Sequence, residues 1–272
     1  MRETLSIWFY PRVKINQCSQ SAAKEIIQMN KSLAYIIGSF LGDGSIASDK
    51  RTFTLQAIDK DFVEKVKVSL SNLSENSVQM TEIPRKTTAN NLVYGIYLSD
   101  IKLVTELLTQ TNKRQNLPID FKDWKPDLQK ELISGLLDSE GYVSMTRVHS
   151  YHGQPVFDMK IGIGACDLWI YELHRFCQEQ GIKVGQVTRE LLKSGKIFAK
   201  FIFNKQSFID YGLYFNIFRK QQRIENYKLL FPGSTTTRGI PKTEETKLKM
   251  SAFANSRIRV KGKFLSIGND IV

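Results

Sequence analysis

Residues 33–44 read Leu33-Ala34-Tyr35-Ile36-Ile37-Gly38-Ser39-Phe40-Leu41-Gly42-Asp43-Gly44, and residues 130–141 read Lys130-Glu131-Leu132-Ile133-Ser134-Gly135-Leu136-Leu137-Asp138-Ser139-Glu140-Gly141. Both are apolar helical runs that end in a carboxylate followed by glycine, and the carboxylates of Asp43 and Glu140 lie 97 positions apart. Ser32 and Asp127 stand where a first-turn cap is expected. Gly44 and Gly141 stand where a left-handed residue closes a helix. Small residues recur four apart, Gly38 with Gly42 and Gly135 with Ser139, so each helix carries a shallow stripe that lets a second backbone approach closely. Packing along these stripes brings the C-terminal ends together and sets Asp43 beside Glu140. Adjacent carboxylates repel, and each also sits at the negative end of a helix dipole. A divalent cation relieves both penalties, and oxygen ligands shared with phosphate and water are the usual Mg2+ environment. Metal ions between two carboxylates and a phosphodiester activate water and stabilise the leaving oxygen. Either run alone is most simply a helix stop; the repetition in matching contexts carries the reading.

The segments after the two runs are also alike. Thr52-Phe53-Thr54-Leu55-Gln56-Ala57 alternates as a half-buried strand does, and so does Val156 to Gly164, with Phe157, Met159, Ile161 and Ile163 on one face. Amphipathic helices are expected at about 60–73 and 167–180. Further strands are expected around 77–85 and 91–98, then around 183–191 and 196–203, and closing helices at about 100–111 and 205–217. The order helix, two strands, helix, two strands, helix therefore occurs twice, in residues 31–112 and 127–231. Residues 113–126 form the linker, with Pro118 and Pro126 as breakers. Residues 1–30, with a helix near 19–28, and the basic stretch 232–272 lie outside the repeat.

The 272 residues are 42% hydrophobic and 24% charged, an ordinary composition for a globular chain with a core. The charge balance is less ordinary: 39 Lys plus Arg against 27 Asp plus Glu give a net +12. That excess favours a polyanionic partner, because cationic side chains neutralise phosphates and release counterions. Cys18, Cys166 and Cys177 show neither zinc-ligand nor disulfide spacing. His149, His152 and His174 suggest no zinc or histidine-based nuclease chemistry. The apolar run at the N-terminus is too short for a signal peptide, and no stretch reaches the length of a membrane span. The expectation is an intracellular protein without a membrane partner, in a prokaryotic cytoplasm or an organelle matrix.

The segment Ile36-Ile37-Gly38-Ser39-Phe40-Leu41-Gly42-Asp43-Gly44 resembles the motif of the LAGLIDADG homing endonucleases, and Ile133-Ser134-Gly135-Leu136-Leu137-Asp138-Ser139-Glu140-Gly141 resembles its second copy. The resemblance covers roughly residues 31–230. It implies an α+β fold of two pseudo-twofold-related αββαββα repeats, whose sheets lie along the DNA major groove, with a small basic C-terminal extension. It also implies a monomer that makes a metal-dependent double-strand break in a long DNA site and leaves short 3′ overhangs, encoded within an intron. The cofactor implied is Mg2+, with Mn2+ able to substitute and Ca2+ binding without supporting cleavage. The metal set would be Asp43 and Glu140 with the preceding Gly42 and Ser139. Ser39, Gly42 and Ser139 depart mildly from the motif.

Gln56 matches the family's glutamine that orders water near the scissile phosphate; its counterpart in the second half is Gly164, so that role is lost or moved. Lys113 and Lys220, after the last helix of each half, resemble the family's basic residues at the cleavage site. Exposed strand faces would read bases through Arg51, Thr54, Gln79, Arg85, Lys86, Tyr97, Arg147, Lys160, Gln186, Arg189, Lys196 and Lys200. Residues 232–272 hold eight Lys/Arg and three Asp/Glu. Within them Pro241 to Ser251 reads as a short helix capped by Thr243. It is similar to a small DNA-binding module found on other intron-encoded nucleases. Arg238, Lys242, Lys247 and Lys249 are its candidate DNA contacts. Two other activities fit the same scaffold: an intron maturase, with host intron RNA as its partner, and a DNA-binding regulator that has ceased to cut. An intein origin fits less well, because Met1 is not a nucleophile and the chain lacks a terminal His-Asn pair.

Overall fold

The computed structural model describes residues 28–84, 92–151, 154–230, 257–260 and 263–266. The first half runs α1 (Lys31–Leu41), β1 (Gly44–Ile46), β2 (Thr52–Ala57), α2 (Lys60–Ser71), β3 (Gln79–Pro84), β4 (Leu92–Ser99) and α3 (Ile101–Gln110). A connection containing a 3-10 turn at Phe121–Asp123 leads to the second half. That half runs α4 (Pro126–Glu140), β5 (Gly141–Tyr151), β6 (Gln154–Ala165), α5 (Trp169–Glu179), β7 (Thr188–Leu191), β8 (Ile197–Phe203) and α6 (Lys205–Asp210). α7 (Phe218–Leu230) comes next, and β9 (Arg257–Val260) pairs antiparallel with β10 (Lys263–Ser266).

The sheets are ordered β1-β2-β4-β3 and β5-β6-β8-β7, with every pairing antiparallel. This is the expected α+β arrangement, an αββαββα unit made twice. One face of each sheet is apolar and packed: Phe53, Leu55, Ile96 and Leu98 in the first, Ile161, Ile163, Ala199 and Phe201 in the second, all essentially without solvent contact. Helices α1, α2 and α3 cover the first such face, and α4 and α5 reach the second. Period-two alternation in the strands thus gives one buried and one open face per sheet.

α1 is apolar all round and buried from Leu33 to Leu41, as a helix with packing on every side must be. α1 and α4 run side by side in the same direction. Lys31 pairs with Asp127 at their N-terminal ends (3.4 Å), and Gly42 abuts Ser139 at their C-terminal ends. The small-residue stripes are the contact surface. A Cβ on Gly38 would lie 2.1 Å from the Leu132 carbonyl oxygen, and one on Gly135 would lie 2.4 Å from that of Tyr35. The backbones touch, so neither glycine can carry a side chain.

Four expectations are corrected. Asn30, not Ser32, caps α1, its Oδ1 accepting from the Leu33 amide at 2.9 Å. α4 starts at Pro126 after Lys125, and Asp127 lies in its first turn rather than at the cap. Gly44 and Gly141 are not left-handed; they open β1 and β5. Glycine is required there for space, since a Cβ would lie 2.6 Å from Phe40 Cα and 2.4 Å from the Leu137 carbonyl oxygen. The helix expected at 205–217 ends at Asp210, because Gly212 takes a φ of +76° and the Leu213 amide returns to the Phe208 carbonyl. The chain then re-forms a helix as α7. The expected helices at 19–28 and 241–251 fall outside the described residues.

Candidate active site and nucleic-acid face

The parallel packing of α1 and α4 delivers Asp43 and Glu140 to one place. Asp43 reaches solvent, yet the packed helix ends take water from one side of its carboxyl. Burial pushes it up to about 6, against the attraction of Lys220 and then Arg114. Glu140 is pushed up to about 7, first by burial and then by the charge of Asp43. Asp59 adds repulsion at Asp43, and Asp167 adds it at Glu140. The donor set is all oxygen, two carboxylates that repel each other, and such a set fits a hard divalent cation. Gly42 and Ser139, which precede the carboxylates in sequence, meet at the helix contact. The Gly42 carbonyl accepts from Arg114, and the Ser139 hydroxyl donates to the Gly135 carbonyl at 2.9 Å. Among the described residues no group of three or more His, Cys, Asp and Glu gathers to hold a metal ion, here or elsewhere.

Two basic side chains close the helix ends. The buried Lys220 ammonium donates to the carbonyls of Leu137 (3.2 Å) and Asp138 (2.8 Å), the last turn of α4. Burial lowers it to about 8. Lys113 does not take the equivalent place in the first half; it is exposed. Its neighbour Arg114 does, donating to the Leu41 carbonyl at 3.3 Å and to that of Gly42, with its guanidinium over the Phe40 ring. Asn112, Lys113 and Arg114 all have positive φ, a strained turn for three non-glycine residues. Thr111 holds the turn: its hydroxyl accepts from the Arg114 amide, and its carbonyl accepts from the amides of Gln115 and Asn116. Each cation caps the helix of its own half but is the strongest attraction on the carboxylate of the other. Sequence spacing missed Arg114 by one residue, because it does not show which side chain such a turn directs inward.

Asp138 forms a second layer. Its carboxylate accepts from the Tyr35 hydroxyl across the helix interface (2.8 Å), from the Asn216 side chain (2.8 Å) and amide (2.9 Å), and from the Ile217 amide (3.2 Å). Burial raises it, and those hydrogen bonds oppose the rise. It thereby fixes the turn before α7 that carries Lys220. Arg219 beside it pairs with Asp59 (2.7 Å), tying α7 to the start of α2.

Gln56 lies near the end of β2. Gly44 pairs with Leu55, so Asp43 and Gln56 are next in register, and Gln56 Nε2 donates to the Tyr97 hydroxyl at 3.3 Å. A cleft of about 690 Å3 opens here, bordered by Asp43, Gln56, Tyr142, Lys220 and Arg223. Arg223 was not anticipated; its guanidinium donates to the Val143 carbonyl at 2.6 Å.

The open face of the first sheet carries a cross-strand row, Ser45, Thr54, Tyr97 and Gln79. Arg51 is exposed in the turn before β2. On the second sheet Lys160 is exposed opposite Ser144, Lys200 is half-buried opposite Gly164, and Gln186 and Lys196 are exposed in the loops flanking β7. Arg189 departs from expectation. It pairs with the buried Ala199 and stacks over Tyr171 of α5, on the helix-covered face. Arg147 belongs to β5 opposite Phe157, and its side chain is not among those described. Arg85, Lys86, Arg238, Lys242, Lys247, Lys249 and His152 also lie outside the described residues. His174 bonds the Gly185 carbonyl at 2.9 Å, a structural contact. No described helix is long and apolar enough to cross a membrane.

No family model matches the chain. A 120-residue stretch is 32% identical to an uncharacterized protein, MJ0398, of Methanocaldococcus jannaschii; it spans 43% of this chain and 41% of that protein. The fold is shared with meganuclease I-SmaMI, solved bound to uncleaveable DNA. The TM-score is 0.50 at 11% identity, over 87% of this chain and 98% of that one. Full-length DUF199/WhiA from Thermatoga maritima aligns at a TM-score of 0.46 and 13% identity, over 85% of this chain and 71% of that one. The homing endonuclease I-DmoI in complex with its target DNA aligns at 0.44 and 13%, over 66% and 94%.

Proposed function

We propose that this chain is a homing endonuclease of the LAGLIDADG type, acting as a monomer on a long duplex site and making a metal-dependent double-strand break with short 3′ overhangs. One observation carries the reading: two repulsive carboxylates, Asp43 and Glu140, are held at the joined ends of two helices, between two sheets that each leave one face open. A structural role alone gives no reason to bring two carboxylates together at such a cost.

Asp43 and Glu140 would hold Mg2+, which when bound supplies charge for the scissile phosphate and an activated water. Lys220 and Arg114 partly offset the carboxylate repulsion and would add positive charge near a phosphate held there. Gln56 orients water on the Asp43 side through an amide that can donate and accept. The open-face residues Thr54, Gln79, Tyr97, Lys160 and Lys200, with Arg51 and Lys196 in the adjoining turns, would face DNA, and the basic segment 232–272 would extend the contact. An intron-encoded origin and a reducing intracellular compartment belong to the same proposal.

The test is cleavage of DNA spanning the rejoined flanks of the gene, with Mg2+ or EDTA, by wild type and Asp43→Asn. Double-strand cutting that needs Mg2+ and disappears in the variant is the expected result. Tight binding without cutting in either condition overturns the nuclease reading and favours a maturase or a regulator.

A further inference from the structure

We propose that Lys200, on β8, supplies to the Glu140 half of the site the long polar side chain that Gln56 supplies to the Asp43 half; this rests on the nuclease reading above. The strand registers carry it. In the first sheet Asp43 and Gln56 follow the Gly44–Leu55 pair, and Gln56 pairs in turn with Gly95. In the second, Glu140 and Gly164 follow the Gly141–Ile163 pair, and Gly164 pairs with Lys200. The two rows read Asp43, Gln56, Gly95 and Glu140, Gly164, Lys200. Glycine and the long polar residue have exchanged strands.

The exchange is enforced by packing. A Cβ on Gly164 would lie 2.6 Å from Phe198 Cζ and 2.9 Å from Lys200 Cβ, so the neighbouring strand has taken the space over it. Two strand spacings, about 10 Å, separate Lys200 from the register position of Glu140. Gly164 puts no β6 side chain between them, but the Phe198 ring lies over it, so the four-carbon stem of lysine, which covers most of that distance, passes beside that ring. The ammonium is not committed elsewhere with any strength. It lies 3.9 Å from Glu190, and the two side chains are 43% and 63% exposed. Such a contact is worth little in water and yields to a polyanion.

The two halves therefore differ in chemistry. Gln56 both donates and accepts and can orient a water; Lys200 only donates, as a point charge, and can stabilise charge on a phosphate. Each DNA strand would be cut with a different helper.

Strand-resolved single-turnover cleavage tests this. The substrate is a duplex selected by binding from a randomised library, with each strand labelled separately, saturating protein and Mg2+. Lys200→Ala is expected to slow nicking of one strand on the order of 100-fold and leave the other unchanged. Gln56→Ala is expected to slow the opposite strand, and Lys200→Arg, which keeps the cation, to retain most of the rate. Equal slowing of both strands by Lys200→Ala, or slowing of neither, overturns the assignment while leaving the nuclease reading intact. So does slowing of the same strand that Gln56→Ala affects. Wild type that binds the duplex and cuts neither strand overturns both.

Discussion

Replacing Asp43 by asparagine is expected to stabilise the metal-free protein at alkaline pH while abolishing its response to Mg2+. In the folded chain burial raises Asp43 from 3.8 to about 6, and burial with the Asp43 charge raises Glu140 from 4.5 to about 7. A group whose folded pKa is raised contributes stability that is fully present below its unfolded value. That contribution is lost as pH rises through the folded value. For this pair the loss runs from about pH 4 to about pH 7, and above it both ionised carboxylates oppose folding. The Asp43 shift is about 2 units, which at about 1.4 kcal/mol per unit sets an upper bound near 3 kcal/mol. Because Asp43 is exposed, solvent screening reduces the expected gain to about 1 kcal/mol. For a chain of this size that is a rise of about 2–4 °C in Tm. Thermal melts in EDTA should show this difference near pH 8 and almost none near pH 4, where both carboxyls are largely protonated. Added Mg2+ should raise the wild-type Tm by mass action and leave the variant unmoved. A variant that melts at or below wild type at the higher pH in EDTA would refute the reasoning. It would mean that attraction from Lys220 and Arg114 outweighs burial.

Three further outcomes are expected. Gly135→Ala places a methyl 2.4 Å from the Tyr35 carbonyl oxygen and 2.8 Å from the Ser39 amide nitrogen. Backbone cannot yield as a side chain does, so denaturant titration should show a loss of about 3 kcal/mol or more. Asp138→Ala strands the Tyr35 hydroxyl and the backbone amides of Asn216 and Ile217, and removes an attraction on Lys220. A loss of about 3–5 kcal/mol is expected by the same titration, against about 1 kcal/mol for Tyr35→Phe. Arg114→Ala is expected to lower single-turnover cleavage on the order of 100-fold. Lys113→Ala is expected to cost much less; the reverse ranking would restore the spacing-based assignment.

Much of this architecture was legible in the sequence because it is written in short-range periodicities. Alternation in 52–57 and 156–164 placed β2 and β6, and the apolar runs of 33–41 and 130–140 placed α1 and α4 with their carboxylates. The repeat itself came from comparing two local patterns. α7 stayed hidden because its polar surface lacks a strong apolar stripe, and the short β1 because three residues show no period. Gly44 and Gly141 were legible as glycines but not as to reason: φ and space make the same demand on a sequence.

The sequence by itself determined which residues are paired by the repeat, Asp43 with Glu140 and Gln56 with Gly164, since a duplicated pattern survives as matching positions along the chain. Only the tertiary structure decided which side chains serve those positions. Arg114 in place of Lys113 follows from a left-handed turn held by Thr111. Arg189 is lost to the helix-covered face through its register with Ala199. Lys200 opposite Gly164 follows from a strand pairing that joins residues 36 positions apart. Direction and register are set by contacts between distant segments, and no local pattern records them.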